Sequence, residues 1–323
     1  MQNTKEKIIN LLQKIAPGAL SAKKIANKLK ISRQAVHKHL KALLKEKRIS
    51  KHGLPPRVEY FILPKESRIN EFEETFSSMF QKGLLDLIDE KSLFWKLPDG
   101  KTVDLHFLLE VSALFSSKIE GNSLDLNSVF NKAEIPKSKR KELKEIKDLQ
   151  SAYKYARERK LNEKNLLQCH KILSQTFLAK SLQGKYREKR VGVFGSSGLE
   201  YLAVEPNLVF SEMQAFFALA SKLLQKQMSK KEILAWSMFL HVLLALIHPF
   251  ADGNGRIARL VEKWFLAEKL SKKYWYISSE RFYYENLKSY YKALSLGVNY
   301  WEADIKKIKA FVKLHSNKPN RSC

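Results

Sequence analysis

Between residues 231 and 247 the chain reads KEILAWSMFLHVLLALI, apolar on almost every side and free of Gly and Pro, which predicts about four turns of a helix buried all round. From Arg256 the run IARLVEKWFLAEKL places Ile257, Leu260, Val261, Trp264 and Phe265 on one stripe, so a second helix follows after a short polar connector. Helical spacing recurs at Phe72, Phe76, Met79 and Phe80, and residues 64–100 read as a packed, partly helical connector. Lys137 to Lys160 is also helical in pattern, but charged enough to read as a solvated face. Alternation replaces helical spacing after Gly184, where one short strand, a Gly-Ser-Ser-Gly turn and a second strand around Glu200 to Val204 predict a β-hairpin.

The first sixty residues have a pattern of their own. A helix over 5–15 precedes a second over Ser21 to Leu29, opened by a capping serine, and a third over Ser32 to Lys47 follows a tight Lys-Ile turn. Ile25, Leu29, Ile31, Val36, Leu40, Leu43 and Leu44 supply a shared core. ISKHGLPPRVEYFIL then reads as two strands around a Gly-Leu-Pro-Pro turn. Three helices and a strand pair in this order resemble a winged helix-turn-helix domain, whose third helix would be the recognition helix. Residues 1–63 hold 15 Lys and Arg against Glu6, Glu46 and Glu59, so a fifth of the chain carries +12 of its +26. Such a module suits DNA as a partner. Arg33, Gln34, His37 and Lys38 lie on the early turns of the third helix, where contacts to base edges arise, while Lys51 and Arg57 in the wing are placed for phosphates.

The connector at 248–259 reads His-Pro-Phe-Ala-Asp-Gly-Asn-Gly-Arg-Ile-Ala-Arg. Gly253 and Gly255 free the backbone so that successive N–H groups can converge on an anion at a helix N-terminus. Arg256 and Arg259, three apart, share a face from which both guanidiniums can reach a polyphosphate. Asp252 supplies a hard oxygen ligand of the kind Mg²⁺ takes alongside substrate phosphates. His248 closes the preceding helix with a group suited to accepting a proton, Pro249 ends that helix, and Phe250 can anchor the loop. His241, seven residues earlier, reads as a core histidine bonded to backbone.

This segment resembles the Fic family motif His-Pro-Phe-x-Asp/Glu-Gly-Asn-Gly-Arg-x-x-Arg at all nine specified positions. The resemblance implies transfer of AMP from ATP to a Ser, Thr or Tyr hydroxyl of a protein substrate, with release of pyrophosphate. The implied fold is mainly α, a helical Fic core with a β-hairpin flap, beside the small N-terminal winged helix-turn-helix domain. On this resemblance His248 is the general base, Asp252 the Mg²⁺ ligand, and Gly253, Asn254 and Gly255 the phosphate nest. Arg256 then meets the α- and β-phosphates and Arg259 the γ-phosphate. Gly255 is retained with nothing large in its place, which fits the AMP-transferring orientation of ATP.

Two further segments carry the resemblance. Ser116-Ser-Lys-Ile-Glu120-Gly121 matches the Ser/Thr-x-x-x-Glu-Gly/Asn pattern of the Fic inhibitory helix. In that role Glu120 pairs with Arg259 in the space of the γ-phosphate, and Ser116 braces Glu120. The hairpin after Gly184-Lys-Tyr186-Arg187 resembles the flap that aligns the target by strand addition. Family members often have a proline pair after its second strand, and only Pro206 stands here.

The expected organisation is a winged helix-turn-helix domain over 1–63, a helical connector over 64–100, and a Fic domain over 101–323 with the inhibitory helix near 110–121. There is no internal repeat or low-complexity tract. The longest apolar run, near 235–250, is too short to span a bilayer and contains His241, no cleavable signal segment is evident, and Cys169 and Cys323 form no disulfide framework. A cytoplasmic location is expected. The function read from these features is an autoinhibited Mg-dependent protein adenylyltransferase joined to a DNA-binding module, with a homodimer fitting paired half-sites. Two other readings use the same residues: a DNA-binding transcriptional regulator that employs the Fic domain as a nucleotide sensor, and a de-AMPylase in which Glu120 positions water.

Overall fold

The computed structural model describes residues 4–15, 20–46, 48–52, 58–62, 67–90, 92, 105–130, 135–195 and 198–315. The N-terminal unit consists of α1 (Thr4–Lys14), α2 (Ala22–Leu29) and α3 (Arg33–Lys45), followed by β2 (Ile49–His52) and β3 (Glu59–Ile62). Ser21 and Ser32 cap α2 and α3, each accepting a backbone N–H with its hydroxyl, at 3.3 and 3.2 Å. Between the helices Lys30 turns through the left-handed region at φ 54°. The expected two-stranded wing is a three-stranded sheet, because β1 (Leu20–Ser21) pairs antiparallel with the other edge of β3. A two-residue strand is too short to show alternation. The turn at 53–57, with Arg57, lies outside the described residues.

β3 joins the two halves of the molecule. Neighbouring strand residues point to opposite faces, so Tyr60 enters the core of the N-terminal unit while Phe61 enters the main core. Five residues beyond β3, α4 (Arg68–Phe80) buries Ile69, Phe72, Phe76 and Met79. The Phe76 ring stacks on Phe239 at 4.4 Å. Helix α4 of the connector is thus part of the core, and Phe76→Ala is expected to cost about 3–5 kcal/mol in denaturant unfolding. A loss below about 1 kcal/mol would show that α4 is not packed as described.

The main core is built on α10 (Lys230–Ile247), buried without interruption from Ile233 to Leu244 and opened by a reciprocal Ser229–Glu232 capping box. Alongside it run α11 (Asn254–Lys269) and α9 (Pro206–Gln225), with Pro206 at the first turn of α9. Next to α11 lie α5 (Leu105–Ile119), α7 (Arg140–Arg157) and α8 (Glu163–Leu173). The short α6 (Leu126–Phe130) follows α5, and α12 (Ser279–Glu285), α13 (Leu287–Leu294) and α14 (Lys309–Leu314) complete the domain. The solvated face expected at 137–160 needs correction, since α7 buries Ile146, Leu149, Ala152, Tyr153 and Ala156. Its many lysines occupy the other side and mask that stripe.

The hairpin is β4 (Gly192–Gly195) and β5 (Gly198–Leu202), antiparallel, with residues 196–197 outside the described set. Its second strand begins two residues before the expected position. The segment 298–300 braces it, Leu202 N–H donating to the Val298 carbonyl at 2.9 Å and Tyr300 N–H to the Leu202 carbonyl at 3.1 Å. Among the described residues no helix is long and apolar enough to cross a membrane.

Candidate active site

The loop between α10 and α11 begins with backbone strain. His248 is the C-cap of α10 in the left-handed region, φ 52° and ψ 58°, which disfavours a residue with a side chain. Arg187 holds it there. Its Nε donates to the His248 carbonyl at 2.7 Å, Nη2 to the Val204 and Ile247 carbonyls at 2.6 and 3.3 Å, and Nη1 to the Lys189 carbonyl at 2.9 Å. Its own N–H donates to the Pro249 carbonyl at 2.9 Å. Burial pulls this guanidinium down to about 10, still charged at neutral pH. Arg187, last of the Gly184-Lys-Tyr186-Arg187 segment, is thus a brace between the hairpin and the loop.

The His248 ring lies with Nδ1 3.2 Å from the Ala245 carbonyl. A carbonyl only accepts, so Nδ1 carries the proton and Nε2 keeps a lone pair. Burial pushes the imidazole below its usual value, with Arg187 adding to the effect, while the Ala245 bond, Glu120 and Asp252 oppose it. A base with this pKa stays deprotonated further into acid. If His248 is the base, the acid limb of kcat/KM for an active form should have its midpoint below about 6.5. A midpoint above about 7 would contradict this.

Two side chains lock the rest of the loop. Buried Phe250 stacks on His170, ring centroids 3.7 Å apart. His170 Nδ1 accepts from Gly184 N–H at 2.9 Å, so Nε2 donates to the Asp252 carbonyl at 3.0 Å. Burial drives this histidine down to about 4, so it is a neutral structural group. Asn254 then embraces Phe250, Oδ1 accepting its N–H at 2.8 Å and Nδ2 donating to its carbonyl at 3.0 Å. The side chain of Asn254 therefore holds the loop, and only its backbone N–H is left for an anion. Asn254→Ala would orphan both Phe250 groups at about 1–3 kcal/mol each. A thermal melt should show the loss, and an unchanged melting temperature would rule out this lock.

Asp252 is exposed, and its carboxylate accepts the Gly253 N–H at 2.6 Å. Gly253, at φ 81°, is the N-cap of α11. Ile257 N–H donates to the Gly253 carbonyl at 3.1 Å, so the N–H groups of Asn254, Gly255 and Arg256 have no acceptor within the helix. They form the positive end of α11, where an anion is favoured.

A carboxylate already stands over that end. A Cβ on Gly255 would come within 2.5 Å of Glu120 Oε1 and 3.1 Å of Arg259 Nη1. Glu120 lies one residue past the end of α5, with Gly121 at φ 94° closing the turn, and Arg259 Nη2 donates to Glu120 Oε1 at 2.6 Å. Burial alone would raise the Glu120 carboxyl, but Arg259, Arg256 and the hydrogen bond outweigh it and hold the group below its usual range. Its side chain is 30% exposed, and that of Arg259 only 1%. Ser116 does not brace Glu120 as expected. Its hydroxyl accepts from Arg259 Nε at 2.9 Å and its carbonyl from Nη2 at 3.0 Å, so it holds the arginine.

Two stripes of side chains run in opposite directions here. Ser112, Ser116 and Glu120 on and just beyond α5 meet Lys263, Arg259 and Gly255 on α11, each four residues from the next. Lys263 is fully buried, 2.7 Å from both Ser112 Oγ and Glu280 Oε2, and anchors the deep end. Arg256 turns the other way, over the Phe177 ring at 4.5 Å and 3.5 Å from Glu145, with Nε unbonded. His241 is in the core, but its partners are Glu262 and the Tyr290 hydroxyl instead of backbone. His170, Tyr290 and Lys263 carry no signal in sequence, because their partners come from distant segments.

The structure thus gathers Ser116, Glu120, His248, Asp252, Gly253, Asn254, Gly255, Arg256 and Arg259 around the head of α11. Arg33, Gln34, His37 and Lys38 stand apart from it, all exposed on one face of α3. No group of three or more His, Cys, Asp or Glu among the described residues forms a metal cage. Asp252 fits a cation held by one carboxylate and substrate phosphates, since one of its oxygens is tied to Gly253 and the side chain faces solvent.

Residues 160–266 match the family model of the Fic/DOC family, and residues 1–49 that of the winged helix-turn-helix DNA-binding family. Among solved structures the chain resembles a Fic family protein from Desulfovibrio desulfuricans, at 21% identity over 82% of this chain and 74% of that one, TM-score 0.56. It also resembles a Fic domain containing signaling protein from Bacteroides thetaiotaomicron, at 20% identity over 77% and 91%, TM-score 0.52. At these identities the likeness speaks for the fold. No curated protein matches at a significant level. Together the motif residues, the helical fold and the two matched segments show a Fic/DOC-family domain at 160–266 and a winged helix-turn-helix domain at the N-terminus.

Proposed function

We propose that the protein transfers AMP from ATP to a hydroxyl of a protein substrate, that Glu120 restrains the reaction, and that the winged helix-turn-helix domain binds DNA. The observation that carries the proposal is the Glu120 carboxylate, ion-paired with Arg259 over the free N–H groups of α11. A carboxylate held there marks an anion site next to a histidine with an available lone pair. When Glu120 leaves, the helix end and Arg259 can accept a polyphosphate, with Arg259 at its terminal group and Arg256 nearer the middle. His248 Nε2 then takes the proton of the acceptor hydroxyl as its oxygen bonds to the α-phosphorus, and the bond to pyrophosphate breaks. Asp252 would hold Mg²⁺, which when bound offsets charge on the phosphates. Arg187 and His170 keep the base and the loop in place throughout.

Peptide mass spectrometry of a cell extract treated with the Glu120→Gly protein and Mg-ATP tests the chemistry. AMP adducts on Ser, Thr or Tyr are expected, and phosphate adducts alone would refute AMP transfer. For the N-terminal domain, Arg33→Ala/Gln34→Ala is expected to lose sequence selectivity while salt-dependent phosphate binding persists. Absence of any salt-dependent DNA binding by the unaltered protein would refute the DNA reading. The site of action expected for such a pairing is the cytoplasm.

A further inference from the structure

Behind Arg259 lies a buried row of polar groups that the proposed chemistry does not use. Arg259 Nη1 is 3.4 Å from the Tyr290 hydroxyl, which is 3.0 Å from His241 Nε2, and His241 Nδ1 is paired with Glu262. All four side chains are at most 1% exposed. Their hydrogens fit in one order. Glu262 accepts the Tyr283 hydroxyl, 2.9 and 2.7 Å from its two oxygens, so Nδ1 donates to it as well. Nε2 then accepts the Tyr290 hydrogen, and the Tyr290 oxygen accepts from Arg259. With protons on both ring nitrogens, His241 and Arg259 would both donate to Tyr290 and leave its hydrogen unmatched within the row.

Arg259 has two other holders, Ser116 and Glu120, and they belong to the same segment, α5 and the residue just after it. A release that shifts α5 removes both together. Tyr290 comes from α13 and stays. We infer that Tyr290, set by His241 and Glu262, is a positioning residue that keeps the Arg259 guanidinium aimed at the terminal phosphate of ATP once the inhibitory segment has withdrawn. The inference rests on the reading that Arg259 meets that phosphate. It follows that the row governs discrimination between ATP and ADP, which differ only in the group Arg259 would contact.

The test uses the full chain carrying Glu120→Gly and Ser116→Ala, which removes both side-chain holders from α5 and its end, with Mg-ATP and Mg-ADP binding measured by calorimetry. Tyr290→Phe keeps the ring in its aromatic cluster and is expected to weaken ATP binding by about tenfold while ADP binding is unchanged. Tyr300→Phe removes an equally buried hydroxyl from elsewhere in the main core, one bonded to Glu212 and to no member of the row, and should leave the ATP-to-ADP ratio alone. An unchanged ratio in Tyr290→Phe overturns the inference, as does an equal fall in Tyr300→Phe, which would indicate general loosening. Arg259→Ala separates the underlying reading. If it fails to abolish the preference for ATP, the terminal-phosphate role is wrong and the inference falls with it.

Discussion

Glu120→Gly should raise AMP transfer by about 10- to 100-fold, with a matching gain in Mg-ATP binding. The carboxylate makes a charge-assisted hydrogen bond to Arg259 at 2.6 Å and stands over Gly255 at the head of α11. A hydrogen bond to a charged group contributes about 1.5–3 kcal/mol, and each factor of ten in rate corresponds to about 1.4 kcal/mol. Those two figures set the range. The substitution suits the backbone, because residue 120 lies outside α5 and the turn is closed by Gly121. Arg259 keeps Ser116 and Tyr290 as partners, so the arginine is not stranded. Glu120 should remain ionised throughout the neutral range, because its pKa is lowered; the restraint would weaken only as pH falls through that depressed value. Neutral-range pH is therefore not the switch. Steady-state transfer and calorimetry on the two proteins check the prediction, and equal ATP affinities would sink it.

The second large effect is expected at His248. In the Glu120→Gly background, His248→Ala should lower transfer by about 10²- to 10⁴-fold, the usual contribution of a positioned base, with Mg-ATP binding unchanged. The two effects can be separated because Arg187 grips the carbonyls of residues 247 to 249 and not the His248 ring, so the loop survives loss of the imidazole. A left-handed C-cap penalises Ala, which makes His248→Asn the companion variant, since Asn tolerates that conformation. Both should be inactive. Transfer retained in both would remove His248 from the chemistry, and loss of ATP binding in both would make its role structural.

The elements that frame the site were legible because each carries a local signal. The apolar run of α10, the stripe of α11 and the glycines between them define a helix, a turn and a helix within forty residues. The capping serine of α2 was equally plain. What escaped depends on partners remote in sequence. Asn254 looks like one member of a glycine turn, and only the folded loop shows its side chain bonded to Phe250. Ser116 looks like a neighbour of Glu120 one helical turn away, yet it faces Arg259 on another helix, 143 residues on. His241 was rightly placed in the core, but its polar partners lie 21 and 49 residues further along the chain. The buried stripe of α7 was hidden by surface lysines, and β1 by its length.

The most direct test of AMP transfer follows radioactive label on protein after incubation with Mg²⁺ and ATP labelled at the α-phosphate or at the γ-phosphate. Three proteins are compared: the unaltered chain, Glu120→Gly, and Glu120→Gly/His248→Ala, each with and without cell extract as acceptor. Strong α-label is expected with Glu120→Gly, weak α-label with the unaltered chain, none with the double variant, and no γ-label in any. Label transferred from the γ-phosphate, or α-label that is as strong without His248 as with it, would contradict AMP transfer by this site.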